Sequence, residues 1–256
     1  MNNSLFDATP LWLVFVVTVG VVLLAVELGF RGGIYRARKS EDERQAPIDP
    51  MVGSTLGLLA FVLAFTFGMA TSRYDTRKQL VLDDVIAIRT TDLRAQLLPE
   101  PHRDAIRALL REYVDVRLGG ALTPGKLPQA LLRSEELQDQ LWTSATSLPE
   151  TPFVAPYVQA LIQMIDLHSK RVGAALHNRI PGTIWTALYC MTALAMAITG
   201  YRAGIAGKRS MIATLTMVLA FSSVIVLIAD LDRPQEGFVK VSQQAMLDLQ
   251  ARLRGH

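Results

Sequence analysis

The chain has 256 residues, half of them apolar, a mean hydropathy of +0.28 and a formal net charge of +3. So small a basic excess, with no patch of basic residues interleaved with aromatic ones, argues against a nucleic-acid partner. Cys190 is the single cysteine, which excludes a disulfide or a cysteine-based metal site within one chain.

In chain order, the apolar residues fall into four blocks, residues 11–30, 51–70, 184–201 and 211–229. Roughly 20 residues at ~1.5 Å each cover the ~30 Å hydrocarbon core of a bilayer, so each block has the length of a spanning helix. Between the second and third lies a polar region. The pattern predicts an all-α integral membrane protein with four transmembrane helices in a 2+2 layout and a helical domain inserted between helices two and three. The expected divisions are residues 1–70, a transmembrane pair with a basic loop; 71–181, a water-facing helical domain continuing helix two; 182–230, a second pair; and 231–256, an amphipathic tail.

Residues 1–10 carry no Lys or Arg, and the apolar run that follows exceeds a signal-peptide core, so a retained first helix is expected. That helix is expected to end in Gly29-Phe30-Arg31-Gly32-Gly33. The next loop holds Arg31, Arg36, Arg38, Lys39 and Arg44 against Glu41, Asp42 and Glu43, and Pro50 suits the start of helix two. The loop between helices three and four carries Arg202, Lys208 and Arg209. The positive-inside rule puts both loops in the cytoplasm, and hence the inserted domain outside the cytoplasm of a cell with this protein in its inner (plasma) membrane. Arg73, Arg77, Lys78, Lys170, Arg171 and Arg179 lie near membrane ends on the domain side.

Helix two, residues 51–70, holds no charged residue. Gly53, Gly57, Ala60, Ala64 and Gly68 share one face at ~100° per residue, a row expected to pack on another helix, most naturally on the small-residue row Gly182, Thr186, Cys190, Ala193, Ala197 and Gly200 of helix three. Beside it run Ser54, Leu58, Phe61 and Phe65. Such an aromatic row faces lipid, a neighbouring helix, or, when copies surround an axis, a pore.

The polar region reads as helical throughout. Helix two continues from Ser72 to Leu98 on a stripe of Val81, Val85 and Ile88 and stops at Pro99. A second helix covers about residues 101–118, with Ile106, Leu109, Leu110, Tyr113 and Val114 inward and Gly119-Gly120 as its end. A third covers about 128–147, with Leu131, Leu132, Leu137, Leu141 and Trp142 in the core. A fourth covers about 152–178, with Val158, Leu161, Ile162, Ile165, Val172 and Leu176. The tail from Lys240 to Arg254 repeats Val241, Ala245, Leu249 and Leu253, for a membrane surface or for the polar domain.

Residues that carry chemistry are few. His102, His168, His177 and His256 have no partner at ligand spacing, and Asp166, His168 and Lys170 alternate on a helix, which reads as a solvated face. No catalytic motif is present, so neither an enzyme nor a bound metal or cofactor is expected. Glu27, the one acid inside an apolar block, is either an ion-handling group or an i, i+4 partner of Arg31 near the helix end. At the end of helix four, Asp230, Asp232 and Arg233 meet the interface with Arg73 and Arg179. That cluster reads as a tie between helix four and the long helices, or as the charged mouth of a permeation path.

Three stretches resemble the bacterial bestrophin-like membrane proteins of unknown function. They are LGLLAFVLAFTFGMATSRYDTR at 56–77, LRAQLLPEPHRDAIRALLREYVDVRL at 93–118 and, most specific, ADLDRPQEGFVKVS at 229–242. The sequence departs from the family pattern at 83–89, DDVIAIR, in place of a Glu-Ala-Asn-Ala-Ile-Gly-like run. AFVLAFTF at 60–67, followed by Arg73-Tyr74, is also similar to the neck helix of true bestrophins, which are pentameric anion channels. That likeness implies Phe61 and Phe65 as neck residues and a cytoplasmic inserted region, against the loop charges. Two functions follow: a homo-oligomeric channel for small anions with helix two lining the axis, or a non-conducting membrane sensor or scaffold whose helical domain binds a ligand or partner.

Overall fold

The structure, a computed structural model, describes residues 10–39, 47–176, 179–207, 209–233 and 237–255. Glu41, Asp42, Glu43, Arg44, His177, Asn178, Lys208 and His256, and the side chain of Leu176, lie outside the described residues. Among the described residues the chain is helical, with eight α-helices and no strand: α1 Leu11–Lys39, α2 Asp49–Ala95, α3 His102–Leu122, α4 Leu127–Thr146, α5 Val154–Leu176, α6 Gly182–Ala206, α7 Met211–Asp232 and α8 Gln244–Arg254. A single 3-10 turn, Pro124–Lys126, precedes α4. Four helices, α1, α2, α6 and α7, are long and apolar enough to cross a membrane. The chain divides into two compact units: Met1–Arg73 with Arg179–Val239, and Tyr74–Asn178 with Lys240–His256.

In the first unit α1 packs along α6 and α7. Glycine sets the α1–α6 contact. A Cβ on Gly29 would run into the Ala197 carbonyl, one on Gly33 into that of Tyr201, one on Gly200 into that of Val26 and one on Gly204 into that of Phe30. Two Gly-x-x-x-Gly pairs therefore face each other, each backbone lying against the other's carbonyls, an approach that only residues without a Cβ permit. This corrects the expectation that helix one ends at Gly29–Gly33. Those glycines sit inside a helix that runs on to Lys39, where their lack of a side chain serves packing. The unit is closed by Leu11, Val14 and Ala229 against Trp185 and Val226, and by a 2.8 Å hydrogen bond joining the hydroxyls of Thr18 and Tyr189. Arg202 of α6 holds the carboxylate of Asp49 at the start of α2, with Nη2 donating to Oδ2 at 2.8 Å.

The second unit is built around α3. Ile106, Leu110, Tyr113, Val114 and Leu118 form its buried face, packed with Ile88, Leu98, Leu137, Leu141, Tyr157, Leu161 and Met164. Helix α3 does not stop at Gly119-Gly120. Gly120 lies within it because a Cβ there would press on the Ala130 methyl of α4. Two expected core residues of α4, Leu132 and Trp142, are exposed, as is Ile162 of α5. The tail helix α8 buries Met246, Leu249 and Leu253 in this same core, so it lies on the helical unit. Its Gln250 and Arg254 both donate to the Asp115 carboxylate of α3, at 2.6 and 2.8 Å.

Candidate functional site

Helix α2 buries one line through its apolar half: Leu59, Leu63, Thr66 and Ala70. The spacing of four, three and four marks one face of a helix. The opposite side carries every residue singled out in the sequence. Gly53, Gly57, Ala60, Ala64 and Gly68 are exposed, and so are Ser54, Leu58, Phe61 and Phe65. Phe61 and Phe65 are 68% and 62% exposed, which makes them the most open large side chains of this half. The expectation that the glycine row packs on helix three within the chain is therefore corrected. A Cβ at Gly53, Gly57 or Gly68 would meet no atom within 4 Å. The glycine half of α6 packs on α1 instead, because Gly200 and Gly204 match Gly29 and Gly33 at equal spacing. Ser54 is occupied locally, its hydroxyl donating to the Met51 carbonyl at 3.1 Å.

The acids at the end of α7 are buried caps. Asp230 accepts from the backbone N–H of Phe238 (2.9 Å) and of Val239 (3.2 Å), and Asp232 accepts from that of Ile180 (3.0 Å). A carboxylate with two or three such donors folds a loop back on its helix end. Gly237 completes the motif: its φ of +141° suits glycine alone, and a Cβ there would collide with Asp230 Oδ1. Arg233 is buried beside these acids, and Arg73 reaches Met69 Sδ with Nη2 at 3.8 Å. Arg179 is half-buried. Glu27 is held from two sides, by Arg31 Nε at 2.8 Å and by Arg209 Nη1 at 3.0 Å. The second arginine, from the loop before α7, was not anticipated; it also stacks over the Phe30 ring at 5.1 Å.

The densest chemistry lies in the helical unit, where the sequence showed none. Asp84 of α2, fully buried, accepts at Oδ2 from Arg117 Nη2 of α3 (2.7 Å) and from Arg171 Nη1 of α5 (2.6 Å). Arg171 also donates to Gln243 Oε1 at 3.0 Å. One turn before Arg117, Tyr113 lies under its guanidinium, 5.9 Å from the ring centre. Gln138 of α4 donates to the Tyr113 hydroxyl at 3.1 Å, and that hydroxyl meets His168 Nδ1 at 3.0 Å. Which of the two supplies the proton of that contact depends on the imidazole tautomer, since the hydroxyl oxygen has a lone pair left after accepting from Gln138. His168 is thus buried at 3% exposure, while Asp166 and Lys170 on the same helix are exposed; the expected solvated face holds for those two and fails for the histidine. Among the described residues, no three His, Cys, Asp or Glu side chains come together as metal ligands would.

The electrostatics follow from two arginines facing one carboxylate. Burial pushes the Asp84 carboxyl up, but Arg117 and Arg171 outweigh it and hold it below the ordinary carboxylate range. Burial pushes the Tyr113 hydroxyl up to about 12. Burial, with the charge of Arg117, pushes the His168 imidazole down from 6.5 to about 4. The sign of the pH dependence is fixed by that shift. Between pH 6.5 and about 4 the unfolded chain binds a proton at His168 that the folded chain does not. The stability His168 contributes is complete above that window and is lost as pH falls through it. Asp84 adds its own loss only below the carboxylate range. Unfolding temperature measured from pH 8 to pH 4 is expected to fall with acid, and to fall less steeply in His168→Gln, whose amide does not titrate and has both a donor and an acceptor for Tyr113. Equal slopes in the two proteins would remove His168 as the titrating group.

Comparison with known proteins matches residues 14–246 to the Bestrophin-like domain. No curated protein and no solved structure matches the chain. The match spans α1 to the start of α8 and takes in the exposed face of α2, the buried network and the capped end of α7. The chain belongs to the bestrophin-like family.

Proposed function

We propose that the protein is a homo-oligomeric channel for small anions in the cell's inner membrane, its four apolar helices crossing as two pairs and α2 lining the axis. The observation that carries this reading is the outward face of α2. The charge-free stretch of α2, residues 51–70, turns Ser54, Leu58, Phe61 and Phe65 away from its own chain, with an open glycine row beside them. Close-packed small faces drive helix association in lipid, where apolar burial supplies no force, and apolar rings repeated about an axis gate by dewetting. The anion preference rests on the likeness of residues 60–67 to the bestrophin neck.

Planar-bilayer recording tests it, together with the mass of the detergent-solubilised assembly. Phe61→Ala or Phe65→Ala is expected to raise unitary current or leak while the assembly keeps its mass. A monomer, or purified protein that passes no current, would instead support the sensor or scaffold. On the loop charges we place the helical unit outside the cytoplasm. The exposed Cys190 is first replaced by serine, and a cysteine at the exposed Asp104 is then treated with an impermeant maleimide. Labelling in intact spheroplasts is expected; labelling only after lysis reverses the orientation.

A further inference from the structure

Helix α1 has two sides. The side that carries Gly29 and Gly33 lies against α6, on the carbonyls of Ala197 and Tyr201. The opposite side is open. Val17, Leu24, Leu28, Arg31, Tyr35 and Arg38 are all exposed there, and at ~100° per residue they fall within about 80° of one another. The exposed Lys39 borders the row. Along it the chemistry changes once, from aliphatic to cationic, and length says where. The 29 residues of α1 reach about 44 Å at ~1.5 Å each, against ~30 Å of hydrocarbon. The exposed Trp12 and Tyr35 stand about 35 Å apart at that rise, which puts one aromatic ring at each face of a bilayer. The aliphatic part of the open side then lies among acyl chains. Arg31, Tyr35, Arg38 and Lys39 lie at headgroup depth.

The charge at that end stays positive once the described acids are counted. Glu27 is held by Arg31 at 2.8 Å and by Arg209 at 3.0 Å, two cations on one carboxylate. Asp49 is held by Arg202. Arg36, Arg38 and Lys39 fill the last turn of α1. Arg36 lies off the open row and has contacts of its own, whereas among the described residues no ion pair engages Arg38 or Lys39. Glu41, Asp42 and Glu43 come next in sequence, outside the described residues. Cations in a last turn also suit the helix dipole. The dipole does not account for the open tyrosine between Arg31 and Arg38, which sets a hydroxyl donor among the cations where the aliphatic row ends.

We propose that this side of α1 binds an anionic phospholipid, its chains along Leu24 and Leu28 and its phosphate held by Arg31, Tyr35, Arg38 and Lys39. Each cation near a bilayer surface attracts an anionic headgroup several-fold, and a phosphate accepts hydrogen bonds from guanidinium and hydroxyl groups alike. The inference rests on α1 crossing the membrane and not on a pore, so it holds equally for a channel and for a sensor.

The test uses the full chain reconstituted in phosphatidylcholine vesicles. A trace of nitroxide-labelled phosphatidylglycerol, or of nitroxide-labelled phosphatidylcholine, is added, and electron spin resonance gives the fraction of each immobilised at the protein. The wild type is expected to favour phosphatidylglycerol by roughly fivefold or more, and the preference to shrink as salt is raised. Tyr35→Phe combined with Arg38→Gln and Lys39→Gln is expected to abolish most of it without lowering the unfolding temperature, since all three side chains are exposed. Lys126→Gln with Arg252→Gln, on exposed cations of the helical unit, removes the same charge and is expected to keep it. Inorganic phosphate, which has no chains for Leu24 and Leu28 to hold, is expected not to compete. Equal immobilisation of the two lipids by the wild type, a preference that survives high salt, or an equal loss in both sets of variants overturns the site. No immobilised fraction of either lipid overturns the membrane reading with it.

Discussion

Replacing Asp84 by asparagine is expected to lower the unfolding temperature of the helical unit by roughly 10 °C or more. The side chain keeps its shape and one acceptor but loses its charge. Arg117 and Arg171, only 8% and 15% exposed, are then two buried cations without a counter-ion. Removing one partner of a buried pair costs about 3–5 kcal/mol, well beyond the worth of an exposed ion pair. The three residues come from three helices, so the loss loosens α2, α3 and α5 together. A second change discriminates this account from a general packing defect. In the Asp84→Asn background, Arg171→Met removes one of the stranded charges and is expected to restore part of the loss. Alone, the same change leaves Asp84 with Arg117 and costs less. Scanning fluorimetry of the four proteins gives the coupling. If the two losses simply add, Asp84 does not act as the shared counter-ion.

That residue also shows what apolar periodicity reads and what it passes over. The four long apolar helices and the helical character of the region between the second and third were legible because each is a long run with one period. Asp84 was missed although it occupies an inward position, three after Val81 and four before Ile88. A reading that counts apolar residues skips a polar one on the buried face. Its partners carried a signal of their own: Tyr113 and Arg117 are one turn apart on α3, and His168 and Arg171 share a face of α5. Nothing in the sequence said that these pairs would meet. The glycines misled for a related reason. Gly29, Gly33, Gly119 and Gly120 were taken as helix ends, because glycine both terminates helices and permits close approach. The facing pairs Gly29/Gly33 and Gly200/Gly204 were there to be matched, yet spacing alone does not say which helix lies opposite. The small face of α2 was equally plausible as a partner for α6, and the chain leaves it open.

The α1–α6 contact gives the second large effect, because one substitution has opposite signs at two positions of one helix pair. Gly200→Ala adds a methyl where the Val26 carbonyl already lies against the glycine backbone. A side chain can turn aside, but a helix backbone moves only as a whole, so the axes must separate. Overpacking of this kind costs about 1–3 kcal/mol, with the upper end expected where backbone is the obstacle. Gly20→Ala, on α1 where a Cβ meets no atom within 4 Å, adds helix propensity at no steric cost and is expected to gain about 0.5–1 kcal/mol. Thermal unfolding in detergent should therefore order the proteins Gly20→Ala, wild type, Gly200→Ala. Gly29→Ala, facing Ala197 one turn away, should behave as Gly200→Ala does, and the two together should cost less than their sum. Once the axes have parted for the first methyl, the second finds room already made. Equal stability of Gly20→Ala and Gly200→Ala would mean that α1 and α6 do not meet through their glycines, and the pairing that leaves the face of α2 free for a second copy would lose its basis.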